Sequence, residues 1–401
     1  MATKLLLVSQ EKVHAAVNGA TKILYYFANT MAKRGYEVVV IYPTKECPES
    51  DPNLDKSVKF YNLNYLDIGD FKSTRRRHSI LDFILKHRCK KSLKHLRWGE
   101  LSDKIEYVVD KEKPDVIIPF FAHVSAQILF NKNYEIPVLQ MYHTHPKVYH
   151  TPAKIFNKKS KDMAILFNHC VKKLSYLQLF FPSFAEFMRT YYKGKTRIIH
   201  NPVKIPPVQV DLTQTKKKII YLSRIDKNKG QNILIEAFAL IAKSYPDWEV
   251  LLYGDFEPQN YRAVINELIS KHGLERQVRI MGVTNNPTEA FLQADIGAYT
   301  SSFEGFPLGL SEALAIGLPC LGLKSATGIN ELIKDRENGL LCESNQVDVA
   351  RKLTILMNNQ PLRVKYGNNA RLSMQNYSEE LFLAKWDALI DDALSEKSCK
   401  K

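Results

Sequence analysis

Ile219-Ile220-Tyr221-Leu222-Ser223-Arg224-Ile225-Asp226-Lys227-Asn228-Lys229-Gly230 runs an apolar stretch straight into a polar, basic loop, and residues 232–244 beyond it carry a helical pattern. A strand that stops at such a loop and restarts as a helix is the unit from which parallel, doubly wound α/β sheets are built. Downstream the alternation continues, with strands expected at 248–253, 278–281, 294–299, 318–323 and 339–342 and a helix at 261–272. Upstream, residues 5–9 read as a strand, followed by a loop containing Asn18-Gly19-Ala20-Thr21 and a helix to Lys33. Arg34-Gly35-Tyr36 is the expected helix stop, 37–42 the next strand, and 114–119, 136–142 and 177–180 further strands. Between the two series, residues 200–215 are rich in proline and follow neither period, which marks a linker. The expectation is a first domain over 1–203, a second over 204–377, and a helix within 378–401 that returns to the first.

A chain of 401 residues with 45% hydrophobic and 25% charged residues has the composition of a soluble globular protein of two domains. No apolar run approaches the roughly 20 residues needed to span a bilayer. The six cysteines are scattered without a Cys-x-x-Cys pair, so a reducing, cytoplasmic setting is expected.

The charge is unevenly spread. Residues 1–200 hold 33 Lys and Arg against 18 Asp and Glu, whereas residues 201–401 hold 24 against 24, so the first half carries the whole net charge of +15. Its densest part, residues 72–97, sets Lys72, Arg75, Arg76, Arg77, Lys86, Arg88, Lys90, Lys91, Lys94 and Arg97 against the single acid Asp82. Ile80, Leu81, Phe83, Ile84, Leu85, Leu93, Leu96 and Trp98 are interleaved with them. Cations alternating with large apolar residues suggest amphipathic helices on an anionic membrane surface, ahead of a plain solvated helical face and of a nucleic-acid site.

Two constellations carry chemistry. Ser223 to Gly230 lies at the carboxyl end of a strand and the start of a helix, where free N–H groups and the positive end of the helix dipole collect anions. Arg224 and Lys229 would add two full charges, enough to hold a diphosphate and stabilise it as it leaves. The second, Ser302-Phe303-Glu304-Gly305-Phe306-Pro307-Leu308-Gly309-Leu310-Ser311-Glu312, again follows a strand. Glu304 is expected in the turn, beside amides of Phe306 to Leu308, and Glu312 about two turns into a helix. Carboxylates accept from vicinal hydroxyls, so one could read a sugar ring and the other a ribose.

Arg224 with Lys229 five positions on, then Glu304 and Glu312 in a Glu-x7-Glu arrangement, behind a glycine-containing first loop, resemble family 4 of the retaining glycosyltransferases (glycosyltransferase group 1). The resemblance covers nearly the whole chain and is most specific over residues 301–321. It implies the α/β GT-B fold, two Rossmann-like domains with parallel sheets facing a central cleft. It further implies transfer of a hexose or N-acetylhexosamine from a nucleotide sugar, UDP-linked, to a glycan or lipid-linked acceptor of the cell surface, with retention and without metal or other cofactor. Carried over by position, Arg224 and Lys229 meet the pyrophosphate, Glu304 the transferred sugar and Glu312 the ribose. Gly19, Gly254, Gly282, Val283, Gly305, Phe306, Pro307 and Leu308 line the donor. Within Tyr142-His143-Thr144-His145, His143 matches the active-site histidine, with His145 as its competitor. No Asp-x-Asp occurs, which disfavours a metal-bridged diphosphate. The chain is then expected on the cytoplasmic face of a membrane, in contact with nucleotide sugar and acceptor but not nucleic acid. The alternatives are a sugar-nucleotide epimerase on a similar scaffold and a non-enzymatic polyanion-binding protein.

Overall fold

A computed structural model describes residues 2–9, 19–44, 50–71, 75, 80–95, 97–151 and 158–398. Asn18 of the first loop and Lys72, Arg76, Arg77 and Leu96 of the basic stretch lie outside the described residues. The chain divides into two compact units, one made of residues up to Ile199 together with those from Ala384 onward, the other of His200–Leu383. The backbone therefore passes between units twice.

In the first unit the strands are β1 (Lys4–Val8), β2 (Glu37–Tyr42), β3 (Lys59–Asn62), β4 (Val116–Pro119), β5 (Leu139–Met141), β6 (Tyr176–Leu179) and β7 (Lys195–Ile198). They form parallel sheets of order β3-β2-β1-β4 and β5-β6-β7. A parallel bridge between Ile117 and Val138 continues one into the other. β1 and β4 read as unbroken apolar runs because helices cover both faces of a parallel sheet, and Leu5, Leu6, Leu7, Val116, Ile117 and Ile118 are all fully buried. The first helix, Gly19–Lys33, ends where expected: Gly35 adopts φ +94°, and the Arg34 amide donates to the Thr30 carbonyl at 3.1 Å.

The C-terminal helix Glu379–Ser398 locks onto this unit through Trp386, which is fully buried with its ring 4.8 Å from that of Phe27. Asp387 pairs with Arg34 and accepts from the Tyr36 hydroxyl at 2.9 Å, and Asp392 accepts from Arg197 at 2.6 Å. Trp386→Ala is expected to destabilise the first unit by about 3–5 kcal/mol through the cavity left beside Phe27. Urea unfolding of the full chain followed by far-UV circular dichroism checks this; a change below about 1 kcal/mol would contradict the packing role.

The second unit contains β8 (Lys218–Leu222), β9 (Glu249–Tyr253), β10 (Val278–Gly282), β11 (Ile296–Tyr299), β12 (Cys320–Leu323) and β13 (Gly339–Cys342). All pair in parallel in the order β10-β9-β8-β11-β12-β13. The chain winds outward from β8 in one direction and then, from β11, in the other. This is the doubly wound order, and its switch point falls between β8 and β11, the place in such sheets where ligands commonly bind beyond the carboxyl ends of the strands.

Candidate donor site at the switch point of the second sheet

Both constellations from the sequence lie at this switch point. The loop after β8 is shaped by Asp226. Its buried carboxylate accepts from the Asn228 amide at 2.7 Å, the Lys229 amide at 3.1 Å and Arg224 Nε at 2.7 Å. The loop ends at Gly230, which stands in the left-handed region (φ +69°) as the cap of the helix Gln231–Ala239. A Cβ there would come within 2.2 Å of the Thr300 carbonyl, so only glycine lets the two loops approach this closely. Thr300 Oγ1 closes the contact by donating to the Gly230 carbonyl at 2.7 Å.

Lys229 Nζ donates to Glu304 Oε1 at 2.6 Å, and the Ser301 hydroxyl donates to the same oxygen at 2.7 Å. The Tyr221 hydroxyl lies 2.9 Å from Ser301 Oγ and donates to the Lys229 carbonyl, and burial pushes its ionisation far upward, so the phenol stays protonated. Arg224 reaches outward, its NH1 donating to Glu257 Oε2 at 2.7 Å. Burial opposes the guanidinium charge, but the hydrogen bond to Asp226 and the nearby acids more than offset it and raise its pKa above the ordinary value. Each cation meant for an anionic ligand thus already has a carboxylate partner, which fixes its position and must be displaced or shared when the ligand arrives.

The other donor residues expected in the second unit fall on the same edge of the sheet. Gly254 follows β9 with φ +142°, and a Cβ on it would lie 1.8 Å from the Ser223 carbonyl; its amide donates to the Gly282 carbonyl at 2.8 Å. Gly282 ends β10, and Val283 beside it is exposed. Gly305, Phe306 and Pro307 are buried, and a Cβ on Gly328 would come within 2.7 Å of the Gly305 carbonyl. Glu304 is anchored by its amide, which donates to the Thr327 carbonyl at 2.9 Å.

Three expectations are corrected. The helix Leu308–Ala315 starts only at Leu308, with Pro307 as its cap, so Glu312 sits about one turn in rather than two. Proline has no N–H, so of the proposed cradle only Phe306 and Leu308 can donate from the backbone. Gly19 lies within the described helix Gly19–Lys33 rather than in a loop ahead of it. Glu312 is half-buried; burial, with smaller contributions from Cys320 and Glu312, pushes the Tyr299 phenol upward.

In the first unit the two candidate histidines have distinct surroundings. His145 Nδ1 accepts from the Lys147 amide at 3.0 Å while its ring packs 4.3 Å from that of Phe184, a satisfied structural setting. The His143 ring stacks on Phe120 at 5.0 Å, and its buried Nε2 has no hydrogen-bond partner among the described residues. Burial lowers the His143 imidazole to about 3, so the ring is neutral at physiological pH.

The sequence reading passed over Asp226, Ser301 and Glu257. An Asp two residues before a polar loop residue is an Asx-turn signal, and it marks Asp226 in retrospect. Ser301 and Glu257 carry no comparable local mark, because sheet order alone brings them to the site.

Parallel sheets in doubly wound order in both units, with an anion-suited site at the switch point of the second, are the arrangement of the GT-B fold. Comparison with known families agrees: residues 17–205 match the family described as Glycosyltransferase Family 4, and residues 207–373 match Glycosyl transferases group 1. The chain belongs to this family and is a glycosyltransferase. It is 24% identical over 381 residues to an uncharacterized glycosyltransferase of Haemophilus influenzae, covering 94% of this chain and 97% of that one. It is 30% identical over 175 residues to the poly(ribitol-phosphate) alpha-N-acetylglucosaminyltransferase of Staphylococcus aureus, covering 43% of this chain and 35% of that one. The fold superimposes on a point mutant of S. aureus TarM, solved in complex with Fondaparinux, alpha-GlcNAc-glycerol and UDP, with a TM-score of 0.74 at 17% identity, over 97% of this chain and 99% of that one.

Proposed function

We propose that the chain is a retaining glycosyltransferase that moves a hexose or N-acetylhexosamine from a UDP-sugar to a cell-envelope glycan or lipid-linked acceptor, with side-chain cations rather than a metal meeting the diphosphate. The observation that carries this is the Lys229–Glu304 pair, 2.6 Å apart at the switch point of the second sheet, beside Arg224 and the start of a helix. The named activity of the staphylococcal relative supports an envelope polymer as acceptor, and UDP in the TarM structure supports the donor base.

In this reading Arg224 and Lys229 meet the diphosphate, Glu304 accepts from sugar hydroxyls and Glu312 from the ribose. The bond from the anomeric carbon to the diphosphate oxygen breaks while the acceptor oxygen attacks the same face, and the acceptor proton passes to the departing diphosphate oxygen. Such a step needs no carboxylate nucleophile beneath the sugar; it needs position and a stabilised leaving charge. The roles of Gly19 and His143 rest on the family resemblance alone. We place the acceptor, and the protein, at the cytoplasmic face of a membrane, a placement favoured by the basic excess of the first half. Among the described residues no helix is long and apolar enough to cross a membrane.

A panel of nucleotide sugars tests the reading. UDP at about a hundredfold its Kd is expected to raise the melting midpoint of the second unit by roughly 5–10 °C. One UDP-sugar should be slowly hydrolysed without acceptor and transferred, with the matching mass increase, when acceptor is present. No stabilisation by any nucleotide, or inversion at the anomeric carbon of the product, would overturn it.

A further inference from the structure

The helix Ile80–Arg88 has two unlike sides. Toward the protein, Asp82 and Leu85 are buried, with Asp82 Oδ1 2.9 Å from His169 Nε2. On the other side Ile80, Leu81, Phe83 and Ile84 are 81, 53, 64 and 53% exposed. An ordinary solvated helix presents polar side chains there. This one presents an apolar ridge, stiffened where the Phe83 ring lies 4.2 Å from that of His87.

Cations follow the ridge along the chain, of which Arg88 also faces Asp162, its Nε 3.9 Å from the carboxylate. Lys86, Arg88, Lys90, Lys91 and Lys94 are all exposed, the last three on the following helix Lys90–His95. Between residues 80 and 97 the sequence has one acid, Asp82, and it is buried.

We infer that this face docks on an anionic lipid surface, with Ile80, Leu81, Phe83 and Ile84 entering the boundary between headgroups and acyl chains and the lysines meeting headgroup phosphates. The inference sharpens the membrane placement given above and stands apart from the sugar-transfer reading. Charge selects the bilayer over a second copy of the chain, since a two-fold contact would set this cluster of cations against itself. The ridge selects it over nucleic acid, whose phosphates offer nothing apolar to enter.

Flotation of the full chain with vesicles tests it, comparing phosphatidylcholine alone with a mixture containing about 30% phosphatidylglycerol at low salt. Binding is expected only to the anionic vesicles. Lys90→Glu/Lys91→Glu/Lys94→Glu should weaken it by at least ~100-fold, at roughly fivefold per cation. Phe83→Ser/Ile84→Ser should weaken it about tenfold or more by removing apolar insertion. Failure of the wild type to float, equal binding to neutral vesicles, or undiminished binding of the Phe83/Ile84 variant would each overturn the inference. So would a concentration-dependent dimer that the same pair of substitutions abolishes, which would assign the face to a second copy. Stabilisation by UDP, read in the second unit, should be unchanged in both variants; its absence in the wild type would count against the transferase reading and leave this one intact.

Discussion

Lys229→Ala is expected to lower kcat/KM for sugar transfer by about 1000-fold, or about 4 kcal/mol, while the protein remains folded. Removing the ammonium withdraws a charge from the leaving diphosphate and leaves Glu304, half-buried, with only the Ser301 hydroxyl on its Oε1. The unpaired carboxylate would then repel the diphosphate, so the loss should exceed that from deleting a single neutral hydrogen bond. Glu304→Gln keeps the size and removes the charge. It should cost about 100-fold, most of it in kcat if the carboxylate grips the sugar as charge develops there. Because the two side chains touch, the double variant should lose less than the product of the single effects. Steady-state kinetics of the three variants decide the matter, and near-normal turnover in Lys229→Ala would remove the central role assigned to the pair.

Gly254→Ala is expected to lower the melting midpoint of the second unit by roughly 6–12 °C, from a cost of about 3 kcal/mol or more. Its φ of +142° is one that L side chains rarely adopt, and the new methyl would stand 1.8 Å from the backbone carbonyl of Ser223, which cannot swing aside as a long side chain could. Relief requires moving Ser223 and Arg224, so the donor site should suffer with the fold. Differential scanning calorimetry with and without UDP separates the two effects. A midpoint within about 2 °C of wild type would show that the loops after β8 and β9 yield more easily than their contacts imply.

How far the sequence discloses this molecule depends on the kind of element. Buried parallel strands announce themselves, because both faces are covered and the residues become uniformly apolar, as in Val116–Pro119. β3 (Lys-Phe-Tyr-Asn) and β7 (Lys-Thr-Arg-Ile) escape notice because each lies at the edge of its sheet, where charged and half-exposed residues are the rule. The site divides in the same way. Glycine and cation spacing marks each loop by itself, but the contact between Lys229 and Glu304 spans 75 positions and exists only because β8 and β11 are neighbours. The partners of Arg224 are invisible for a related reason: Glu257 reaches it from the loop after the adjacent strand β9. Helix starts are the least legible feature, as Glu312 shows, since a proline cap moved the first turn by several residues from where apolar spacing alone would set it.

The double passage of the backbone has a bearing on biosynthesis. Residues up to Ile199 leave the ribosome long before Trp386, which covers Phe27, has been made. The whole of the second unit must be translated in between, an interval of roughly 10–40 s at ordinary elongation speeds. Throughout it the nascent first unit bears a bare aromatic surface while its neighbour is free to mature on its own. The first unit is thereby complete only after the second has been made.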